Sequence, residues 1–353
     1  MTSGFRGDPS RLRPPSEHFR CRERIVEDQD NFDHLAVVAF ECSVGHQEGK
    51  ENVLLFYCRE PSCGVLVDNE PAAEKEEDGA VDPSFFDPGY TLAGKTGFQV
   101  WPGSRLVVEA LTVPQSSDPD DLQKWQQRVS KGAFRVLELG SGVGMVGASL
   151  AHAGCQVLLT DLSTLVSESL IPNLERNSIS SSSGEEDAPP PEWMTTYLPA
   201  LPTSTADDSS SSDTSKTTLR IGQGWVAAAA LDWTRPLDNQ LSNEQCQVDL
   251  IVASDCVWLV SMLEGLLDTV QSIFETSKRS PTLLMSFQRR DPDKPEETNT
   301  SKMFTTVDRV MEELKAQEWA VECLVWHPVV YHEEDGKRDD SKEVFLLQVN
   351  PHQ

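Results

Sequence analysis

The chain has 353 residues, 38% of them hydrophobic, enough for one large α/β domain with additions or for two modest domains. Its 57 acidic against 30 basic residues leave a formal net charge of −27, which argues against direct nucleic-acid binding, because phosphate contact needs clustered Lys and Arg. The same balance favours encounter with basic proteins, beside the plainer reading of a solvated acidic surface, and no uncharged apolar run is long enough to span a bilayer.

Residues 1–30 read as a polar arm expected to be disordered, with no apolar h-region and hence no secretory signal. Residues 31–90 read as a small β-rich addition: His34–Cys42 and Asn52–Tyr57 are predicted strands, joined by a hairpin-like connection over Val44–Lys50. Val65–Val67 is a third short candidate. Beyond residue 91 the pattern changes to strand–helix alternation. Ser104–Thr112 has helical spacing, Phe134–Leu139 is a strand running into glycines, and Val143–Ala153 is a helix. Cys155–Thr160 is the next strand, and Ser163–Asn177 a helix with Ser163 as N-cap and a kink at Pro172.

Residues 178–216 are rich in Ser, Pro, Asp, Glu and Thr, and are expected to form a disordered insertion. Strands are then predicted at Trp225–Leu231, Val248–Ala253 and Thr282–Phe287, with helices at Leu259–Thr276 and Lys302–Gln317. Ala320–Trp326 and Lys342–Val349 follow as two consecutive strands. The expected fold is α/β: a mostly parallel, Rossmann-like sheet ending in an antiparallel hairpin, plus the small N-terminal β-rich addition. The eight cysteines include no CxxC pair, so no zinc or other metal site is expected, and reduced thiols in the cytosol or nucleus are the natural reading.

The strongest chemical signal is Val136–Gly144, an apolar strand ending in a glycine turn that opens a helix. Gly140, Gly142 and Gly144 let a ligand approach the main chain, and the helix offers free N–H groups. Gly142–Gly147 also fits the GxGxxG dinucleotide pattern. Glu138, two residues before Gly140, would repel a pyrophosphate but suits the ammonium and sulfonium of S-adenosylmethionine (SAM). Asp161, after the second strand, can accept two ribose hydroxyls or cap a helix. Asp232 and Trp233 follow the third strand and can meet adenine, or Trp233 can simply cover the sheet edge. Ser254, Asp255 and Trp258 follow the fourth strand. Asp255 there can orient or deprotonate an attacking amine and Trp258 can line a channel for an aliphatic ammonium, or the two can be a cap and a core residue.

Taken in order, Thr96–Ser104, Glu138–Gly144, Thr160–Leu162, Asn173–Asn177, Leu231–Trp233 and Ser254–Trp258 resemble the seven-strand protein-lysine methyltransferase family. Members of that family modify chaperones, elongation factors, the segregase ATPase and calmodulin. The resemblance spans roughly residues 94–349. It implies a SAM-dependent methyltransferase domain over 91–353 acting on a lysine of a protein substrate. It further implies that Trp101, Glu138, Gly140, Gly142, Gly144, Asp161, Leu162, Asp232, Trp233 and Ser254 surround SAM, with Asp255 and Trp258 at the substrate channel. Trp258 stands where the family usually has Tyr, and Pro102-Gly103 where it often has Ala. A methyltransferase for a small molecule or another side chain, and a silent SAM-fold interaction module, are the alternatives.

Overall fold

The computed structural model describes residues 7–16, 18–26, 37–43, 53–58, 96–132, 134–179, 189–195, 218–257, 259–289, 305–332 and 338–351. The predicted connection over 44–50 and the candidate at 65–67 lie outside them, as does most of the 178–216 insertion.

Near the N-terminus, β1 (Cys21–Val26), β2 (Val37–Ser43) and β3 (Val53–Cys58) form an antiparallel sheet in that order. The β2–β3 pair is the one expected from sequence. β1 corrects the expectation of a disordered arm over residues 1–30: it pairs with β2 from Cys21–Cys42 to Val26–Val37. Its CRERIV sequence conceals the strand because charges occupy three consecutive positions.

The main sheet is built from β4 (Arg135–Leu139), β5 (Gln156–Asp161), β6 (Leu219–Ile221), β7 (Gly224–Ala230), β8 (Leu250–Ser254), β9 (Thr282–Gln288), β10 (Ala320–His332) and β11 (Arg338–Asn350). Its order is β10-β11-β9-β8-β4-β5-β7-β6. The five strands from β9 to β7 in that order are parallel, and β11 inserts antiparallel between β9 and β10. The terminal hairpin is therefore as expected. The short β6, antiparallel to β7, adds an eighth strand that the sequence does not announce.

Both faces of the sheet are covered, which is why its central strands read as unbroken apolar runs. Val136 and Val157 point into one layer with the helices α1 (Pro102–Thr112), α2 (Asp120–Ser130) and α3 (Met145–His152). Leu137, Leu139 and Leu158 point to the other, against α7 (Val260–Thr276) and α8 (Val307–Ala316). Between β5 and β6 lie α4 (Ser163–Leu165), a π-helical segment (Val166–Leu170), α5 (Ile171–Asn177) and the short α6 (Glu192–Thr195). Pro172 falls in the first turn of α5, which continues the helical run from Ser163, and the π-helical segment directly before it accommodates the backbone bond that the proline cannot make. Ser163 is the first helical residue rather than the N-cap, which is Leu162.

Inside the 178–216 insertion, residues 189–195 depart from the expected disorder. Trp193 is buried, donates Nε1–H to Gln156 Oε1 at 2.7 Å, and lies under the Arg135 guanidinium. A large aromatic ring removed from water with its N–H satisfied holds this turn to the sheet.

Chain order reverses at β4: β5 and β7 follow on one side, β8 and β9 on the other. The diverging loops beyond the carboxyl ends of β4 and β8 leave a crevice there, where open α/β sheets place their ligands.

Candidate functional site

A cavity of about 420 Å³ opens at this switch point. Its floor is the turn after β4. Gly140 (φ 68°) and Gly142 (φ 53°) lie in the left-handed region that glycine adopts without strain. A Cβ on Gly140 would come within 2.8 Å of the Cys256 Cβ and 3.2 Å of the Trp233 ring. The turn is stitched to β5: Ser141 N–H donates to Thr160 O at 3.0 Å, and Thr160 N–H to Ser141 Oγ at 3.1 Å.

Asp161 ends β5 and reaches the cavity wall. Its Oδ2 accepts the Gly142 N–H and its Oδ1 the Leu162 N–H, both at 2.7 Å. Burial pushes this carboxyl up to about 6, although the two backbone N–H groups pull the other way. Leu162 lines the wall beside it.

Beyond β7, Asp232 and Trp233 both line the cavity. The Asp232 Oδ1 accepts from the Thr234 backbone N–H and hydroxyl, and its Oδ2 pairs with Arg235 at 3.2 Å. These hydrogen bonds, the Thr234 hydroxyl first, hold its carboxyl below the ordinary value. Trp233 stands against Gly140, with its backbone carbonyl facing Gly265 of α7.

After β8, Ser254 Oγ lies 3.0 Å from Ser104 Oγ. Asp255 follows with φ 52°, unusual for a residue with a side chain and best tolerated by Asp and Asn. Its N–H donates to Ser286 O at 3.0 Å, while Oδ2 accepts Gly103 N–H at 3.2 Å and Oδ1 accepts Gln288 N–H at 3.3 Å. Trp101 lines the cavity from the segment before β4, its Nε1–H bonded to Thr96 O at 3.0 Å.

Two of the expected ligand contacts lie behind the wall instead. Glu138 is 1% exposed and not on the cavity surface. Its Oε2 accepts the Gly147 N–H at 2.9 Å, so it braces the first turn of α3 from below. Burial drives its carboxyl up to about 8, against the Ser141 hydroxyl and the Gly147 N–H and with help from Asp161. Gly144 (φ 85°) serves packing: a Cβ there would meet Leu170 Cδ1 at 2.6 Å. Trp258 lies outside the described residues.

Other wall residues come from places the motifs did not reach. Gly97 sits with its carbonyl against Gly142, where a Cβ would be 2.9 Å from that oxygen. Ser261, Met262 and Gly265 close the cavity from the start of α7. Gly265, a glycine inside a helix, was a readable signal of close backbone approach. Cys256 also faces the cavity, its thiol pushed up by burial.

Comparison with solved structures gives low likenesses. A SAM-dependent methyltransferase of Methanosarcina mazei is 12% identical, with a TM-score of 0.37, covering 64% of this chain and 97% of that one. The precorrin-6y C5,15-methyltransferase of Geobacter metallireducens is 10% identical, with a TM-score of 0.33, covering 65% of this chain and 89% of that one. A glycopeptide N-methyltransferase complexed with sinefungin is 14% identical, with a TM-score of 0.34, covering 66% of this chain and 86% of that one. No curated protein matches the chain. The model of a family described as lysine methyltransferase matches residues 90–209 and 206–310. That stretch is more than half of the chain and includes every parallel strand whose loop lines the cavity, so this chain belongs to the lysine methyltransferase family, SAM-dependent enzymes that transfer methyl groups.

Proposed function

We propose that the chain transfers a methyl group from SAM to a lysine ε-amine of a protein with a basic surface. The observation that carries this reading is the pairing of Asp161 and Asp255 in one cavity, two carboxylates reaching it from the strands on either side of the glycine turn after β4. The donor set fits SAM rather than a pyrophosphate: acids face the cavity, and the glycines of its floor present bare backbone to it.

SAM supplies a methyl carbon made electrophilic by its sulfonium. Asp161, pre-set by Gly142 and Leu162, would accept the ribose hydroxyls. Trp233 would lie along the adenine. The Gly140–Gly142 backbone, with Trp101 opposite, would border the methionine end, while buried Glu138 keeps the α3 N-terminus in place beneath it. Ser254 and Asp255 would face the entering amine. Asp255 is held at both oxygens by backbone N–H groups, so it acts as a fixed acceptor that aligns the amine and balances the positive charge that builds on its nitrogen, which suits an in-line displacement on carbon.

Incubation with radiolabelled SAM and a cell lysate tests the reading. Label recovered as methyl-lysine after protein hydrolysis supports it. Label confined to small molecules would reject the lysine substrate, and no calorimetric heat with SAM, in wild type as in Asp161→Ala, would point to a silent module.

A further inference from the structure

Away from the cavity, Cys21 and Cys42 stand directly opposite one another on antiparallel β1 and β2. Opposed residues on such strands have Cα atoms about 4.5–5.5 Å apart, inside the range of about 4.4–6.8 Å that a disulfide spans. Both are reduced thiols; Cys42 is fully buried and Cys21 partly exposed. We propose that Cys21 and Cys42 are a modification site, a cross-strand thiol pair that a hydroperoxide converts to a disulfide.

The surroundings separate the roles. Burial raises the Cys21 thiol, but the Cys42 S–H beside it and the Arg105 guanidinium outweigh that, against an opposing push from Glu109, and its net movement is downward. Cys42 moves well up, first because it donates to Cys21 and then through burial. Burial pushes Cys155 and Cys323 up to about 12 and Cys246 to about 11. Reactive thiols sit in electropositive, partly open places, and Cys21 is the described cysteine that fits.

The Cys21 thiolate sulfur attacks one peroxide oxygen. The S–O bond forms, the O–O bond breaks, and the departing hydroxide takes a proton to become water. The Cys42 sulfur then attacks the Cys21 sulfur. The S–S bond forms, the S–O bond breaks, and hydroxide leaves with the Cys42 proton as a second water. Two thiols lose two electrons and two protons, and the peroxide is reduced to two waters. The product fixes β1 to β2 covalently. The segment before β1 is already held to the core by Arg13 on Glu109 and Asp118 and by Trp326 Nε1–H on Asp8 O.

The test treats the full native chain with hydrogen peroxide, blocks remaining thiols by alkylation, and maps the peptides. The expected product is one cross-linked pair joining residues 21 and 42, lighter by two hydrogens and restored by dithiothreitol. Cys42→Ser should lose the cross-link and accumulate oxygen on Cys21, and Arg105→Gln should slow the reaction by about tenfold. In the wild type, both residues still alkylatable, a disulfide between another pair, or stable over-oxidation of Cys21 without a cross-link would each overturn the proposal.

Discussion

Gly103 donates its backbone N–H to Asp255 Oδ2 at 3.2 Å, so an acid after β8 caps the first turn of α1. Trp101, the formal N-cap, offers no side-chain bond, and the carboxylate takes that place from across the fold. The approach is close enough that a Cβ on Gly103 would lie 2.7 Å from the Asp255 Cβ and 2.5 Å from Ser286 Oγ.

Substitution at either end should separate fold from chemistry. Asp255→Asn keeps a residue that tolerates positive φ but can accept from only one of the Gly103 and Gln288 N–H groups, so thermal denaturation should shift by about 1–3 kcal/mol. Methyl transfer should nonetheless fall by about a hundredfold or more, because the charged acceptor is gone. Gly103→Ala should cost about 1–3 kcal/mol through overpacking and slow transfer while leaving calorimetric SAM affinity nearly unchanged. An Asp255→Asn variant with full transfer would make Asp255 a helix cap alone.

Asp161 predicts a pH-dependent affinity for SAM. Its carboxyl is raised to about 6, so below that pH it is protonated before binding. A cationic nucleoside favours the ionised form, and binding must then release the proton. Affinity should rise with pH through about 6 and level off above it, with a limiting slope of about tenfold per pH unit. Asp161→Asn should flatten that rise and weaken binding overall. Titration calorimetry at several pH values, in buffers of different ionisation enthalpy, reads both the affinity and the proton count.

Much of this site was legible because its parts sit at strand ends, where an apolar run stops and a glycine or acid follows. Asp161, Trp233 and Asp255 are each found within three residues of a strand terminus. Glu138 was misplaced for a related reason. β4 is buried on both faces, so no alternation in the sequence tells which side chains turn toward the cavity. α2 was missed because its buried face rests chiefly on Leu122, Trp125 and Val129 amid eight other, mostly polar residues. Trp193 was concealed by flanking Pro and Ser, and the cavity walls from Gly97 and α7 are joined to the motif only in space.

Glu138 carries a stability prediction with a definite sign. Burial first, then Asp161, raises its folded pKa from 4.5 to about 8. Between those values the folded protein holds a proton that the unfolded chain has lost. This contribution is fully present below about 4.5 and fades as pH rises through about 8, on the order of a few kcal/mol in total. SAM-free protein should therefore lose thermal stability from about pH 5 to pH 8. Glu138→Gln, which mimics the protonated form and can still accept from Gly147, should show a shallower decline. Equal slopes in the two proteins would mean that Glu138 is ionised in the fold.

Arg13 comes from the segment expected to be a loose arm, yet its side chain is 2% exposed. Its NH1 meets Glu109 Oε1 and its Nε meets Asp118 Oδ1, both at 2.8 Å, while NH2 donates to Val113 O at 2.7 Å. Glu109 is held further by Ser16 N–H, and Asp118 by Gln115 N–H and the Gln126 amide. Removing the cation leaves two buried carboxylates that these neutral donors cannot balance. Arg13→Ala should cost about 3–5 kcal/mol, seen as a drop of about 4–7 °C in Tm for a chain of this size. Arg13→Lys should recover only part of it, because one ammonium cannot reproduce a planar fork that serves two carboxylates and a carbonyl. An Arg13→Ala protein that melts with the wild type would show that the segment before β1 contributes nothing to the core.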